Sequence, residues 1–444
     1  MSLPRYPEYK DSGVEWLGEV PAHWNVDALR RRAALNPSKS EIRELPGDAM
    51  VSFLPMEAVG ESGELDLSRT RQISDVLSGY TYFREGDVTF AKITPCFENG
   101  KGARMVGLHG GRGFGTTELT VARPNPDLLD SHYLDWVFRS TPFRKRGEAA
   151  MYGAGGQKRV PDEFVREFAF GWPSVEEQIS IARFLDREAA RIDALIAEQE
   201  TLLALLAEKR QATISHAVTR GLDPNVPMKD SGIAWLGEAP AHWEIFRLGA
   251  LFREVSEPGR EDLPLLSVSI HDGVSDKELG EDELDRKVSR SDDKSKYKAV
   301  AVGDLTYNMM RAWQGGFGSV SVDGMVSPAY IVARPKRDFL TTHIESLLRT
   351  PAAVAEMKRN SRGITDFRLR LYWEEFKVIQ IALPPKQEQA EIAAFIDRQM
   401  KNIELLALQA KRNVSLLSER RSALISAAVT GQIDVRGLVS EAAA

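Results

Sequence analysis

The sequence predicts an α+β protein: two similar mixed α/β domains separated by two long antiparallel coiled-coil helices, in a circular order with a pseudo-two-fold axis. Three observations carry this. A stretch free of Gly and Pro occurs twice, at 174–219 and 386–430, and the copies align without a gap at a constant offset of 211. A head segment also occurs twice, KDSGVEWLGEVPAHW at 10–24 and KDSGIAWLGEAPAHW at 229–243, with twelve of fifteen positions identical at an offset of 219. Between each head and its helix lies a body of domain size. Its short motifs echo across the repeat: Gly86-Asp87-Val88-Thr89-Phe90 with Gly303-Asp304-Leu305-Thr306-Tyr307, and Val121-Ala122-Arg123-Pro124 with Val332-Ala333-Arg334-Pro335.

In chain order this gives a head and body over 1–172, a helix over 173–220, a second head and body over 221–383, and a second helix with a tail over 384–444. A chain of 444 residues exceeds the size of roughly 250–300 residues at which single cores stop growing. Within the bodies, 25–172 and 244–383, short strands alternate with Gly, Pro and Asp punctuation. VTFA at 88–91, LTVA at 119–122, DLTY at 304–307 and AYIV at 329–332 read as strands of mainly antiparallel sheets, and 131–139 and 342–348 read as helices. Trp16, Trp24, Trp235 and Trp243 recur at matching head positions and are expected to anchor packing.

Each long helix carries a seam at alternating three- and four-residue steps. In the first copy it is Leu185, Glu188, Ile192, Leu195, Gln199, Leu202 and Leu206; in the second, Ile396, Gln399, Ile403, Leu406, Ala410, Asn413 and Leu417. A 3.5-residue spacing sustained over three heptads predicts a coiled-coil seam, with the polar entries fixing its register. Two helices alone bury one seam each, so apolar positions off it, Ile181, Ile196, Leu203, Ile392, Leu405 and Leu416, are expected to dock helical partners.

The first helix ends in Val218-Thr219-Arg220-Gly221 and the second head follows at once, whereas the second ends in Val429-Thr430-Gly431 with no third head behind it. The N-terminal head is the missing partner. Antiparallel helices bring residues 10–24 to the end of the second helix, as 229–243 sit at the end of the first.

Composition narrows the function classes. With 43% hydrophobic and 27% charged residues the chain has a globular make-up. It holds no apolar run near the roughly 20 residues of a membrane span, and MSLPRYPEYKDSG has no apolar signal region. The single cysteine, Cys96, excludes an internal disulfide and a multi-cysteine metal site, and a reducing cytoplasm is expected. A net charge of −6 argues against coating nucleic acid by bulk attraction, yet leaves room for local basic faces.

Catalytic motifs are missing. Asn36-Pro37-Ser38 and Asn125-Pro126-Asp127 lack the second proline and aromatic of an adenine amino-methyltransferase site, and GGRGFGTT at 110–117 has no Lys before its hydroxyls, so it is no phosphate loop. Pro161-Asp162-Glu163 lacks a nearby Glu-x-Lys for a nuclease core. His23 matches His242 and His132 matches His343 across the repeat, which suggests shared packing, and no metal site is expected.

PEYKDSGVEWLGEVPAHW, the helix openings WPSVEEQISIARFLDR and LPPKQEQAEIAAFIDR, the endings TISHAVTRG and LISAAVTGQID, and the body segments 86–103 and 303–320 resemble the specificity subunit of type I restriction-modification systems, the HsdS family. The likeness covers nearly the whole chain. It implies a non-catalytic DNA reader in which each body is a target-recognition domain for one half of a split double-stranded DNA sequence. The helices act as spacer and docking surface for two modification (methyltransferase) subunits, and restriction subunits join through these. Under that resemblance this chain binds no cofactor: S-adenosylmethionine sits on the modification subunit, and ATP and Mg on the restriction subunit. The alternatives are a stand-alone sequence-specific DNA-binding protein and an assembly scaffold that reads nothing.

Geometry is compatible with spacing. A helix of about 44 residues is roughly 66 Å long, and readers on one face of B-DNA enter the major groove about 34–36 Å apart. Bases are read by Arg, Lys, Asn and Gln, and phosphates by cations, hydroxyls and amides. On that chemistry Lys92, Thr94, Asn99, Lys101 and Arg104, and Gln157, Lys158 and Arg159 in the Gly-rich loop 153–159, are the DNA-contact candidates of the first body. Asn308, Arg311, Trp313 and Gln314, with Arg362, Arg368 and Arg370 after a Gly, are those of the second.

The circular order is testable. A permutant with joined termini and a new start near Gly221 is expected to fold and keep its DNA binding; aggregation or loss of binding, measured by light scattering and gel shift, would count against it.

Overall fold

The computed structural model describes residues 3–154, 156–270, 273–277, 294–363 and 368–438. Contacts divide the chain into two compact units, one of residues 1–200 and 412–444, the other of 201–411. Each unit therefore takes one head, one body, part of the first long helix (Val175–Arg220, 46 residues) and part of the second (Lys386–Val429, 44 residues).

These helices are long because Ala, Leu, Glu, Gln, Lys and Arg dominate them, all with high intrinsic helix propensity. The first begins where the Ser174 hydroxyl accepts from the Glu177 amide at 3.3 Å, the usual N-cap bond. The second stops at Gly431, φ 74°. There the Gln432 amide donates to the Ala427 carbonyl at 2.9 Å and the Gly431 amide to that of Ala428 at 3.3 Å, a Schellman pair. Gly221 ends the first helix with the same left-handed backbone, φ 77°.

Within unit one the helix segments run antiparallel. Asn413 donates to Gln199 at 3.3 Å, Arg421 pairs with Asp193 at 2.9 Å, and Ile181 and Leu185 share a core with Ile425 and Val429. Within unit two, Ala217 and Val218 share a core with Ile392. The seam differs from the expected one. Leu185, Ile192, Leu206, Ile403 and Ala410 are buried, but Leu195, Leu202 and Leu406 are 40%, 39% and 51% exposed. Burial recurs every seventh residue, because the helices touch along a single row and the second row has nothing over it.

The circular order is present as contacts inside unit one. The Asp434 amide donates to the Pro4 carbonyl at 2.8 Å and the Tyr9 hydroxyl to the Gly431 carbonyl at 3.0 Å. A Cβ on Gly431 would lie 3.0 Å from Trp24, and in unit two one on Gly221 would lie 3.6 Å from Trp243. Each head thus packs on the end of a long helix.

A Glu-Gln pair at each helix start ties head, body and helix together. Glu177 accepts from the Tyr6 hydroxyl at 2.6 Å and Trp24 Nε1 at 3.2 Å, and His23 lies 2.9 Å away. In unit two Glu388 accepts from Trp243 Nε1 at 3.1 Å, with His242 at 2.7 Å. Gln178 accepts from the Asp130 amide at 2.7 Å and donates to the Leu128 and Pro173 carbonyls; Gln389 accepts from the Leu340 amide at 2.8 Å and donates to Pro384. Trp24 and Trp243 are fully buried. Trp16 stacks on Phe168 and Phe170, and Trp235 packs against the core of unit two.

The first body holds two four-stranded sheets. One runs Thr70–Gln72, Met50–Leu54, Arg112–Gly115, Thr81–Arg84, with the middle pair parallel; the other, Ala33–Leu35, Leu119–Pro124, Val88–Ala91, Gly102–Arg104, is antiparallel throughout. The second body has one such antiparallel sheet among its described residues: Phe252–Val255, Tyr330–Pro335, Leu305–Asn308, Phe317–Ser319.

The echoed motifs now have a cause. Asp87, buried, pairs bidentately with Arg123 at 2.7 and 2.8 Å, and Asp304, buried, with Arg334 at 3.0 and 2.9 Å. Each aspartate also accepts a backbone amide, from Arg84 and Ala301 respectively, at 2.9 Å. Burying a charge demands this degree of pairing, and both bodies meet it with the same two motif residues.

Replacing Glu177 by Ala leaves the Tyr6 hydroxyl and Trp24 indole without an acceptor and should destabilise unit one by about 3 kcal/mol. Glu388→Ala should cost less, because the position matching Tyr6 is Asn225, which is exposed. Urea unfolding followed by hydrogen exchange in each unit checks the order.

Candidate nucleic-acid interface

Each body presents a loop that leaves the central sheet, zipped to a hairpin that precedes the last strand. In unit one the Lys92 amide donates to the Glu118 carbonyl and its own carbonyl accepts from the Val160 amide, both at 2.8 Å. In unit two the Met309 carbonyl accepts from the Leu371 amide at 2.9 Å. Val160 and Leu371 are related by the 211-residue offset of the long helices. The hairpins close by mutual backbone bonds, Tyr152 with Arg159 and Arg362 with Arg370. Each opens on a glycine that admits no side chain: a Cβ on Gly153 (φ 138°) would lie 2.5 Å from the Gln157 carbonyl oxygen, and one on Gly363 2.7 Å from that of Arg368. Gly155, within the first hairpin, lies outside the described residues, as do 364–367 of the second.

The candidate residues divide by what their side chains do. Arg159 forms a bidentate pair with Glu118 at 2.9 and 2.8 Å, and this hydrogen bonding holds the Glu118 carboxyl below its ordinary range. Its guanidinium is a latch for the hairpin base. The Thr94 hydroxyl donates to the Gly156 carbonyl at 2.7 Å and accepts from the Lys158 amide at 2.9 Å, so it too fastens loop to hairpin. Lys101 donates to the carbonyls of Met56 and Val59 at 3.1 and 3.0 Å, which spends its ammonium on closing a neighbouring turn. Gln157, Lys158 and Asn99 are exposed, and Lys92 is half-buried beside them. Arg104 lies on strand Gly102–Arg104, half-buried and away from the hairpin pairing.

In unit two Arg311 donates to Gln314 at 2.8 Å, and Trp313 Nε1 to the Met310 carbonyl at 3.0 Å; the Asn308 side chain caps the Met310 amide at 3.0 Å. This is a self-supporting turn, ended by Gly315 in the left-handed region. Arg362 pairs with Glu375, while Arg368 and Arg370 are exposed at the hairpin's far strand. The structure thus gathers Lys92, Thr94, Gln157, Lys158 and Arg159 at one site and Arg311, Trp313, Gln314, Arg362 and Arg370 near another. Tyr152, 67% exposed at the hairpin base, is a further member. Sequence patterning passes over it because a tyrosine beside a glycine loop reads equally well as core.

The helix candidates also divide. Ile181 and Ile392 are fully buried in the cores of their units, so neither presents a surface to a partner. Ile196 and Leu203 are half-buried, and Leu405 and Leu416 are 60% and 52% exposed. Leu205 and Leu408, at 56% and 65% exposure, add to that surface. Among the described residues no helix is long and apolar enough to cross a membrane, and no cluster of three His, Cys, Asp or Glu could hold a metal ion.

Residues 292–415 match the profile of the type I restriction modification DNA specificity domain. The chain is 40% identical over 195 residues to the type I restriction enzyme EcoAI specificity subunit of Escherichia coli, a match covering 43% of this chain and 32% of that protein. It is 36% identical over 208 residues to the EcoEI specificity subunit of the same organism, covering 44% and 34%. The matches span about a third of the length of these relatives. Its fold is that of the HsdS subunit from Thermoanaerobacter tengcongensis (TM-score 0.58, 16% identity, covering 93% of this chain and 98% of that one). A chain solved in work on complex assembly and conformational transition of the type I R-M system is also similar (TM-score 0.63, 16% identity, covering 92% and 98%).

Gly153→Ala should unlatch the first hairpin without unfolding unit one, since its Cβ collides with backbone. Limited proteolysis is expected to cut within 152–159 at least several-fold faster, with little change in melting temperature.

Proposed function

We propose, from the premise that this chain is a member of the HsdS family, that it is the DNA sequence-specificity subunit of a type I restriction-modification complex. Each body reads one half of an asymmetric bipartite target. The long helices set the gap and dock two modification subunits, through which restriction subunits join, in the cytoplasm. The chain itself carries out no chemistry; S-adenosylmethionine belongs to the modification subunit, and ATP and Mg to the restriction subunit.

One observation carries this reading: both units build the same loop-plus-hairpin platform on the same backbone bond, yet load the hairpin with different residues. Val160 to Lys92 and Leu371 to Met309 are equivalent bonds. The first hairpin carries exposed Gln157 and Lys158, and the second carries exposed Arg370 on its far strand. Equal scaffolds with unequal readers are what a two-part, asymmetric target requires. Gln and Arg present bidentate groups to base edges, and Lys suits phosphate. Exposed Leu405, Leu408 and Leu416 favour a helical partner over a stand-alone binder, since apolar side chains exposed along a helix call for cover.

Co-expression with the adjacent modification gene, followed by genome-wide mapping of methylated adenines, is expected to return one split motif with a fixed gap. Exchanging residues 25–172 should change one half of it only. Lys158→Ala should weaken binding across sequences and reduce the salt slope by about one. A stable complex that methylates no motif would leave the scaffold role.

A further inference from the structure

The repeat gives unit two a cavity beside the acid and imidazole that, in unit one, hold an indole. In unit one Asp186, near the start of the first long helix, accepts from Trp136 Nε1 at 3.1 Å and lies 2.9 Å from His132. The 211-residue offset maps these onto Asp397, Leu347 and His343. The acid and the imidazole persist, but the indole is replaced by a leucine. A cavity of about 280 Å³ lies beside His343 and Asp397, lined also by Val218, Thr342, Ser346, Ile392, Ala393, Ile396 and Met400.

His343 is the physical anomaly. It is 2% exposed, and neither ring nitrogen has a hydrogen-bond partner among the described residues. Burial pushes its pKa down to about 4, so the ring is neutral at physiological pH and offers one donor and one acceptor. Buried polar atoms are nearly always paired, and one that is not calls for a missing partner. Asp397 does not serve: it pairs with Lys401 at 2.8 Å, a residue matched by Ala190 in unit one. Thr342 and Ser346 add hydroxyls to the lining, and the other walls, Val218, Ile392, Ala393, Ile396 and Met400, are aliphatic or thioether, a surface suited to the face and edge of an aromatic ring.

We propose that this cavity receives an aromatic side chain bearing an O–H or N–H, a tyrosine or tryptophan presented by a docked protein partner, in the place that Trp136 takes in unit one. The ring packs on Ile396 and Met400 while its polar hydrogen donates to the unprotonated nitrogen of His343. A protein source is favoured because the helix that floors the cavity carries Leu405 and Leu408, both largely exposed, about two turns further on. The inference rests on the reading that modification subunits dock on this chain, and makes the docking asymmetric: one unit supplies its own ring and the other borrows one.

Phenol and indole are the probes for the cavity, titrated into the full chain with the methyl resonances of Met400 and Ile396 observed by NMR. Saturable shifts are expected for both methyls, at least ten-fold weaker in Ala393→Phe, which plugs the cavity from its half-buried wall, and several-fold weaker for indole in His343→Leu, which removes the accepting nitrogen. Absent shifts, or shifts indifferent to both variants, overturn the site. The partner is tested by titrating the modification subunit into wild type and Ala393→Phe. Weakening of one of two binding events by ten-fold or more supports a borrowed ring, and an unchanged isotherm overturns it even where phenol binds. Failure of wild type to bind the subunit at all removes the docking reading itself, an outcome distinct from an unchanged variant.

Discussion

The bond on which each unit depends is a carboxylate at the start of a long helix accepting from a buried tryptophan of the head. Glu177 and Glu388 occupy the third turn-opening position of their helices, where a capping glutamate ordinarily bonds back to its own backbone. Here the side chain is turned instead toward Trp24 or Trp243, and its neighbour Gln178 or Gln389 takes over the backbone groups of the body. Two adjacent residues thereby join three pieces of chain far apart in sequence. Because the indole N–H, the tyrosine hydroxyl of Tyr6 and the loop amides are all buried or half-buried, each would be left costly and unpaired without them. This explains why Glu-Gln is repeated at both helix starts while the following heptads drift.

The same division between fixed support and free surface governs the bodies. The Asp87–Arg123 and Asp304–Arg334 pairs brace strands that carry the candidate loops, and the braces are alike although the sheets around them are not. Above the braces, Arg159 and Thr94 in unit one and Arg362 in unit two are spent on fastening the hairpins. A loop that approaches nucleic acid needs such internal bonds, since an unanchored loop loses conformational entropy on contact. Several residues that look like readers in one dimension are therefore supports in three.

The helices show how far a pattern can outrun the packing. A heptad seam asks for two buried rows, and in this structure the row at Leu185, Ile192 and Leu206 is covered while Leu195 and Leu202 are not. Hydrophobic spacing reports which residues want cover, not whether the cover lies in the same chain. Ile181 and Ile392 illustrate the converse: they lie off the seam, yet the cores of the units close over them completely.

The sequence by itself determined the architecture. Internal repetition is independent of any energy estimate, so the order of heads, bodies and helices, the antiparallel helices, the packing role of Trp24 and Trp243 and the closing of the N-terminal head onto the second helix were all legible in it. The strands at 88–91 and 119–122 and the helix at 131–139 were legible too, through period and punctuation, the second strand running on to Pro124. Tertiary structure decided what a pattern cannot hold. It assigned Lys101, Thr94 and Arg159 to backbone and carboxylate partners, left one helix row bare, and brought forward Tyr152. It also separated His132, which pairs with Asp186, from His343, whose ring nitrogens have no partner among the described residues. The physical reason is that hydrogen-bond partners 45 and 62 residues apart, Lys101 with Met56 and Thr94 with Gly156, depend on how loops fold over one another, and no local periodicity encodes that.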